Sequence, residues 1–195
     1  PTPVRRTASL VARFLQEAKV TSQLEHPSIV PVYEVGLRSG NTPYYTMKLL
    51  KGKTFSAALR DCNSLPERLH LLRHFADICH GVAYAHSRRV VHRDLKPSNV
   101  MIGEFGETVV LDWGLAKVLD KSDVQFEAFE KTVTAIKVGF ESDQGKTLPG
   151  AVLGTPAYMP PEQARGELHN VDKRSDVYSL GMILYEIIAG RLPFE

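Results

Sequence analysis

The order of the segments in this sequence predicts an α+β fold, in which short strands and longer helices are segregated instead of alternating. Two segments rich in Val, Ile, Tyr and Thr, at 28–36 and 42–50, are typical of strands. Two longer segments with helical spacing of apolar residues, at 65–86 and 175–190, come later in the chain. A length of 195 residues with 43% hydrophobic content is enough for one sizeable core or two small ones.

The chain begins with a segment, 9–24, whose apolar residues fall near helical spacing, with Ser9 as a candidate N-cap. Because the residue before a proline is disfavoured in the helical region, the step from His26 to Pro27 ends this predicted helix. The two strands then follow, joined by a turn at GLRSGN.

The second half of the chain predicts two further helices and one hairpin. The segment 65–86 is a long amphipathic helix, and 100–103 with 108–111 forms a short hairpin around two glycines. A polar stretch, 117–152, is too long for an ordinary connection and is therefore expected to be functional or mobile. The segment 175–190 is apolar nearly all round, which predicts a buried helix.

Charge and cysteine content exclude several classes of protein. The 24 basic and 22 acidic residues leave a net charge of +2, which argues against a nucleic-acid or anionic-membrane binder. Cys62 and Cys79 lie outside any C-x-x-C pattern and are predicted to be reduced thiols in a reducing compartment. No apolar run approaches the roughly 18 residues of a membrane span, and no signal peptide opens the chain. We expect a soluble, cytoplasmic piece of a longer protein, even if the parent is anchored to a membrane elsewhere.

Polar residues interrupt an apolar stretch at VVHRDLKPSNV, residues 90–100. Asp94, Lys96 and Asn99 lie close together there, and Asp112 follows the second strand of the predicted hairpin. Because a hairpin returns the chain to its start, Asp112 can converge with Asn99. Carboxylate and amide oxygens suit Mg²⁺, which takes one or two protein ligands together with substrate phosphates. Asp94 as a general base and Lys96 as a positive charge complete a site suited to phosphoryl transfer.

Each of these residues also has an ordinary structural interpretation. An isolated Asp in a loop is usually a turn or capping residue, and only the combination of Asp94 with its neighbours favours catalysis. His92 is expected to pack in the core instead of acting as a base. The histidines of the 65–86 helix lack the Cys or carboxylate neighbours of a zinc site.

Several motifs resemble those of the eukaryotic-type protein kinases, in the bacterial Ser/Thr form. HRDLKPSN resembles their catalytic loop, and the DWG at 112–114 resembles their metal-binding Asp-Phe-Gly with Trp in place of Phe. GTPAYMPPE resembles the end of their activation segment and a protein-substrate platform, with Glu162 in the Pro-Glu pair. SDVYSLGMILYEIIAGRLPF is similar to their central αF helix, in which Asp176 holds the catalytic-loop backbone. RFLQEAKVTSQLEHPSIVPVYEVG resembles their αC helix and fourth strand, with Glu17 at the ion-pair position.

The resemblance implies a two-lobe kinase fold that is partial at both ends. Residues 1–50 would be a remnant of the N-lobe, from αC onward, together with the hinge. Residues 51–195 would be a partial C-lobe that reaches αF, with a long activation segment at 112–162. No Gly-rich loop precedes residue 9 and no strand lysine is available for Glu17, so these parts are expected upstream of residue 1. The piece alone is therefore expected to bind ATP weakly and not to turn over.

The resemblance also implies a substrate, cofactors and a reaction. The parent would use ATP with Mg²⁺, or Mn²⁺, to phosphorylate Ser or Thr of a protein, since Lys96 and the Gly-Thr ending at Thr155 match the Ser/Thr subclass. Asp94 would be the base, Lys96 would steady the γ-phosphate, and Asn99 and Asp112 would hold the metal. No nucleic-acid partner is expected, and the oligomeric state is not predicted.

The nucleotide pocket and its regulation follow from the same resemblance. Met47 matches the gatekeeper, the backbone of Lys48 and Leu50 would meet the adenine edge, and Met101 would lie under the ring or simply pack in the core.

In kinases of this pattern, the arginine at the position of Arg93 pairs with a phosphate on the activation segment. Of the hydroxyl residues in that segment, Thr147 is the first candidate for autophosphorylation. Two alternatives stay open: a pseudokinase scaffold, and a phosphotransferase acting on small molecules.

Overall fold

The computed structural model describes residues 18, 20–38, 42–113, 116–119 and 156–193, and this part of the chain has the predicted α+β composition. The strands are Val32–Arg38 (β1), Thr42–Met47 (β2), Gly52–Thr54 (β3), Val90–Val91 (β4), Val100–Gly103 (β5), Thr108–Val110 (β6) and Lys117–Val118 (β7). The α-helices are Phe55–Asp61 (α1), Leu65–Leu69 (α2), Leu72–Ser87 (α3), Pro161–Ala164 (α4) and Lys173–Ala189 (α5). None of the helices in this part is both long and apolar enough to cross a bilayer.

The strands form three small antiparallel sheets, β1-β2, β3-β5-β6 and β4-β7. The predicted strand pair is confirmed as β1-β2, but its first strand starts at Val32 instead of residue 28. Pro31 has no N–H to donate to a ladder, so the residues before it pair elsewhere. Ile29 makes an isolated parallel bridge to Val110, which attaches this segment to β6.

The hairpin predicted at 100–103 and 108–111 is confirmed as β5-β6, with Met101 opposite Val109. The Gly103 N–H donates to the Glu107 carbonyl at 2.8 Å and closes the turn. On its other side β5 pairs with β3, so Thr54 also lies opposite Met101. The sheet therefore holds the end of the 90–100 stretch against the segment that follows β2.

The helix predicted at 65–86 is divided into α2 and α3, with a break at His70 and Leu71. The Leu71 N–H donates to the Arg68 carbonyl three residues back, which tightens the turn. This turn places Leu71 in the core. Leu69 and Leu72, whose spacing in the sequence fits the apolar face of a continuous helix, are 41% and 36% exposed.

A buried hydrogen-bond chain fastens α3 to β6. His74 Nδ1 lies 2.8 Å from Thr108 Oγ1, and that hydroxyl donates to Asp77 Oδ2 at 3.1 Å. Burial and the neighbouring Arg73 lower the pKa of His74, so the imidazole is neutral and can donate from Nδ1.

The helix predicted at 175–190 is confirmed as α5. A capping box of Asp172 and Ser175 begins it, and Gly190 in the left-handed region, with φ of 70°, ends it. The prediction of a buried helix is correct for one side of α5 and wrong for the other, since Ile183 and Ile187 are buried but Val177 is 60% and Ile188 is 52% exposed. A helix packed against neighbours on one side buries only a stripe, and here the stripe carries polar residues as well as apolar ones.

Two predicted segments are described only in part. Of the helix predicted at 9–24, Ala18, Val20 and Thr21 are helical, and the remainder up to residue 17 lies outside the described residues. The polar stretch predicted at 117–152 begins with the short strand β7, and its residues from 120 onward also lie outside them.

Candidate active site

One buried carboxylate anchors the loop that contains the candidate catalytic residues. Asp176 is 1% exposed, and its two oxygens accept hydrogen bonds from the His92 N–H and the Arg93 N–H, each at 2.9 Å. A third contact comes from α3, where His86 Nε2 lies 2.7 Å from Asp176 Oδ2. Helix α5 therefore anchors the start of the segment 92–99, which we call the catalytic-site loop.

The residue before Asp94 has an uncommon backbone conformation. Arg93 lies in the left-handed region with φ of 73°, which costs a residue with a Cβ about 1–3 kcal/mol. The hydrogen bond from its N–H to Asp176 holds this conformation. Such conformations cluster at functional sites, because the surrounding structure must hold them in place.

Asp94, Lys96 and Asn99 lie in direct contact. Lys96 Nζ donates to Asp94 Oδ2 at 2.8 Å, and Asn99 Nδ2 donates to the same oxygen at 3.1 Å. Asn99 Nδ2 also donates to the Asp94 carbonyl at 2.9 Å. The Lys96 and Asp94 side chains are only 19% and 13% exposed, so their interaction is partly shielded from water.

The β5-β6 hairpin brings Asp112 back to this loop. The Leu111 N–H donates to the Asn99 carbonyl at 2.8 Å, and Asp112 is the next residue. Asp112 itself has φ of 57°, a left-handed conformation that Asp tolerates better than most residues. Asp112 is therefore the direct chain neighbour of Leu111, the residue that is hydrogen-bonded to Asn99.

His92 connects these two segments. Its ring is fully buried, which agrees with the prediction that it packs in the core. Its Nδ1 accepts from the Asp94 N–H at 3.3 Å, and its Nε2 lies 3.0 Å from the Leu111 carbonyl. Both ring nitrogens are therefore used when the proton is on Nε2, and the ring also packs 4.6 Å from the Trp113 ring.

A cleft of about 290 Å³ opens beside Asp112. Three parts of the chain line this cleft: the segment before β1, the strands β1 and β2, and the segment after β6. The lining residues are, in that order, Thr21 and Val30, then Val32, Tyr45 and Met47, then Leu111, Asp112 and Trp113. Met47, the last residue of β2, is 49% exposed at this cleft. The structure therefore brings the predicted gatekeeper and the predicted metal ligand to one cavity.

Lys48, Leu50 and Met101, which are also predicted for the nucleotide pocket, do not line this cleft. The Lys48 N–H donates to the Pro31 carbonyl at 3.1 Å, and Leu50 follows in the segment that leads to β3. Met101 is half-buried in β5. Glu17, Thr147 and Thr155 lie outside the described residues.

The segment 156–162 is attached to α5 by side-chain hydrogen bonds. Ser175 Oγ donates to Glu162 Oε1 at 2.5 Å, and the Tyr158 hydroxyl donates to Glu186 Oε2, also at 2.5 Å. Burial raises the pKa of both Tyr158 and Glu186. We call this segment the platform.

Some of these contacts were not predicted from the sequence. The sequence pattern gives His86 only as one of several histidines on a helix, and it does not indicate contacts of Ser175 and Ser179. The one signal that could have pointed to a partner is Asp176 itself, because a carboxylate in an apolar helix needs donors around it.

A metal at this site would depend on few protein ligands. Among the described residues, no three His, Cys, Asp or Glu side chains lie close enough to hold an ion. The Asn99 amide turns its nitrogen to Asp94, which leaves its oxygen Oδ1 as the candidate donor. An amide oxygen and a carboxylate fit a hard divalent ion that takes its remaining ligands from water and phosphate.

Trp113 is buried in the core, but within the described residues its indole N–H has no hydrogen-bond partner. We expect Trp113→Phe to change the free energy of unfolding by less than about 1 kcal/mol, because removal of the buried N–H, whose burial costs about 1–3 kcal/mol, offsets the packing lost with the larger ring. Trp113→Ala should cost about 3–5 kcal/mol through the cavity that it leaves. Denaturant titration followed by circular dichroism measures both, and equal losses would contradict this explanation.

Comparison with known proteins places the chain in a family. The protein kinase domain family matches residues 3–195. The chain is 41% identical over 195 residues to a serine/threonine-protein kinase PknD of Protochlamydia amoebophila, covering 94% of this chain and 19% of that protein. It is 39% identical to PknD of Chlamydia caviae and 37% identical to PknD of Chlamydia felis, each over 95% of this chain and 20% of the relative. It thus spans about a fifth of the length of these relatives. The chain belongs to the protein kinase domain family.

Proposed function

We propose that the protein containing this chain transfers the γ-phosphate of ATP to Ser or Thr hydroxyls of protein substrates. The observation that carries the proposal is the contact of Asp94 with Lys96 and Asn99 on a backbone anchored by Asp176. The relatives named as serine/threonine-protein kinases support it, since the similarity extends over nearly all of this chain.

Asp94 accepts the proton of the attacking hydroxyl. Its Oδ2 is occupied by Lys96 and Asn99, so Oδ1 is the oxygen that can receive the substrate O–H. As that proton moves to Asp94, the substrate oxygen forms a bond to the γ-phosphorus and the bond to ADP breaks. The two hydrogen bonds fix the orientation of the carboxylate before substrate arrives.

Lys96 stabilises the negative charge of the group in transfer. Its ammonium lies 2.8 Å from the base, so it is close to the place where the hydroxyl attacks. The partial burial of this pair makes its charge more effective than in bulk water.

Asn99, through Oδ1, and Asp112, through its carboxylate, are the residues that would hold Mg²⁺. When bound, the ion neutralises charge on the β- and γ-phosphates. Mn²⁺ accepts the same oxygen donors. The arrangement of Asn99 supports this assignment, because its nitrogen is already committed to Asp94 and its oxygen therefore faces away from that carboxylate.

The adenine is assigned to the cleft edge at the end of β2. Met47 would border the ring, the backbone of Lys48 and Leu50 would bind its edge, and Met101 would support it from β5. Glu17 would pair with a lysine of the parent protein. The cleft beside Asp112 and Met47 supports this placement.

Membership of the protein kinase domain family also supports a division of the chain into lobes. The small sheets and helices are those of a partial two-lobe kinase fold. We assign residues 1–50 to the N-lobe and hinge, 51–195 to the C-lobe and 112–162 to the activation segment.

Within that segment, a phosphate on Thr147 would bind Arg93, and Thr155 would be a further regulatory residue. Both cysteines of the chain are free thiols, and this agrees with a cytoplasmic, ATP-rich location for the domain.

Incubation of the full-length protein with labelled ATP, Mg²⁺ and a mixture of protein substrates tests the proposal. We expect label in phosphoserine or phosphothreonine, and none after the metal is chelated. ATP binding without transfer would identify a pseudokinase and contradict the proposal. Label confined to small molecules would contradict the protein substrate.

A further inference from the structure

A buried histidine of α3 lies within a hydrogen-bond chain that runs in one direction. Arg73 Nε donates to His74 Nε2 at 3.2 Å, so Nε2 is an acceptor and the proton of the neutral ring is on Nδ1. Nδ1 lies 2.8 Å from Thr108 Oγ1, and this hydroxyl donates to Asp77 Oδ2 at 3.1 Å. The donors therefore run from guanidinium through imidazole and hydroxyl to carboxylate. We call these four residues the His74 brace.

The brace is buried although it makes no direct contact with the candidate active site. His74 and Thr108 are each 3% exposed. Buried polar groups cost free energy unless each finds a partner, and a network in which all are partnered favours one arrangement of the elements that it joins. The brace therefore fixes how β6 lies against α3.

The strand that contains Thr108 leads to Asp112. β6 has only three residues, Thr108–Val110, so few ladder bonds determine its position. Beyond its end, the Leu111 N–H donates to the Asn99 carbonyl, and at its start the Thr108 hydroxyl attaches it to α3. Because an extended chain advances about 3.3 Å per residue, Leu111 lies about 10 Å from Thr108, and a shift of the strand at Thr108 also displaces Asp112.

We propose that His74 and Thr108 are positioning residues for Asp112, and that the His74 brace holds only while His74 is neutral. This rests on the proposed function, because the position of Asp112 matters only if its carboxylate holds the metal. Displacements of about 1 Å at a reacting centre can cost about 10²-fold in rate, so a small movement of β6 is enough to impair the site.

Proton uptake by His74 disrupts the brace. A second proton must bind at Nε2, where it would face the Arg73 Nε–H instead of leaving an acceptor for it. Burial and the neighbouring Arg73 lower the pKa of His74, against the opposite effect of the Asp77 carboxylate. The neutral ring is therefore the form that fits the brace, and acid opens it.

Charged groups on the elements packed against α3 are engaged in other contacts. On the β6 side, the Glu107 carboxylate accepts from the Phe105 N–H in the hairpin turn. On α5, Asp176 and Glu186 bind other side chains, and β4 contains only valine. Within the described residues, the charges that act on His74 are therefore the two of the brace itself.

The pH range of the effect follows from linkage. Histidine in an unfolded or open segment titrates at about 6.5, and His74 in the closed brace titrates at a lower pH. The open state binds more protons between these two values, so the closed brace loses stability as the pH falls through this range. The brace therefore contributes fully above about pH 6.5 and progressively less below it.

Amide hydrogen exchange of the full-length protein, followed by mass spectrometry on peptides with Val110 and Leu111, tests the brace without a catalytic readout. We expect Thr108→Val to accelerate exchange of these two amides by about tenfold, because one hydrogen bond to a buried group is lost. Thr108→Ser restores the hydroxyl and should exchange as the wild type does. Unchanged exchange in Thr108→Val, or equal acceleration in Thr108→Ser, would show that the hydroxyl does not hold β6.

The metal requirement of the same variants tests the effect on Asp112. Thr108→Val should raise the Mg²⁺ concentration for half-maximal rate by about tenfold, while the rate at saturating Mg²⁺ stays near that of the wild type. If Thr108→Val does not fold, His74→Leu at neutral pH provides both readouts. Faster exchange with an unchanged Mg²⁺ requirement would overturn the positioning of Asp112 by the brace.

The dependence on neutral His74 is tested by lowering the pH from about 7.5 to about 5.5, on either side of the pKa of free histidine. In the wild type, exchange corrected for its intrinsic pH dependence and the Mg²⁺ requirement should both rise, and His74→Leu should abolish this response. His80→Gln is the matched control, because His80 is an exposed histidine of the same helix, and it should respond as the wild type does. A response retained in His74→Leu would assign it to another group and overturn the dependence on His74. Wild-type protein that transfers no phosphate would overturn the proposed function instead, while the exchange results still decide whether the brace holds β6.

Discussion

Asp94→Asn in the full-length protein is expected to lower kcat by about 10²–10⁴-fold, the usual contribution of a general base. Asn has the same size, and its oxygen can still accept from Lys96 and Asn99, which now hold Oδ2 of the carboxylate. It cannot take a proton from the substrate hydroxyl. The loss should therefore appear in kcat, with little change in the KM for ATP, when initial rates are measured at saturating substrate.

Two further variants sharpen this result. Asp112→Asn should raise the Mg²⁺ concentration needed for half-maximal rate, and excess Mg²⁺ should restore part of its activity but none of that of Asp94→Asn. Asp61→Asn is the matched control, because this 63% exposed carboxylate forms its ion pair with the exposed Lys53 in the described part of the chain and should leave the rate unchanged. Undiminished activity in Asp94→Asn and Asp112→Asn would show that these residues do not carry the chemistry.

The site could be predicted from sequence where its parts are close along the chain. Asp94, Lys96 and Asn99 lie within one short loop, so their contact depends on few backbone angles. Asp112 is further away, but the hairpin between it and Asn99 had a recognisable turn and confirmed strands. Local sequence patterns were therefore sufficient to predict those contacts of the site that depend on a single loop and a single hairpin.

The remaining contacts depend on how distant elements pack, which no local pattern records. His86 and Asp176 are 90 residues apart, and their contact exists only because α3 and α5 lie side by side. The break before α3 could not be predicted either, because it follows from the burial of Leu71, and Leu69 and Leu72 offered an equally good apolar face. Likewise, the exposed Val177 in α5 shows that an apolar helix is not buried on every side.

Asp176→Ala is expected to lower the free energy of opening of the catalytic-site loop by about 3–5 kcal/mol, because it leaves two buried N–H groups without acceptors and removes the partner of His86. Amide hydrogen exchange of His92 and Arg93 measures this directly, since their N–H groups bind the deleted carboxylate. Exchange should accelerate by about 10²-fold or more. The kinase rate should fall with it, because the left-handed backbone of Arg93 loses the contact that holds it.

Asp176→Asn should lower the free energy of loop opening less, by about 1–3 kcal/mol. One oxygen can still accept a hydrogen bond, but the NH₂ group that replaces the other oxygen is a donor and faces a backbone N–H donor. Asp172→Asn is the control at the N-cap of the same helix, where Asn caps about as well as Asp, and it should leave exchange in the loop unchanged. Unchanged protection in Asp176→Ala would show that the loop is held by other contacts. Equal acceleration of exchange in Asp172→Asn would indicate general damage to α5. Asp172 accepts from the Arg174 N–H at the start of the helix, whereas the His92 N–H of the loop donates to Asp176.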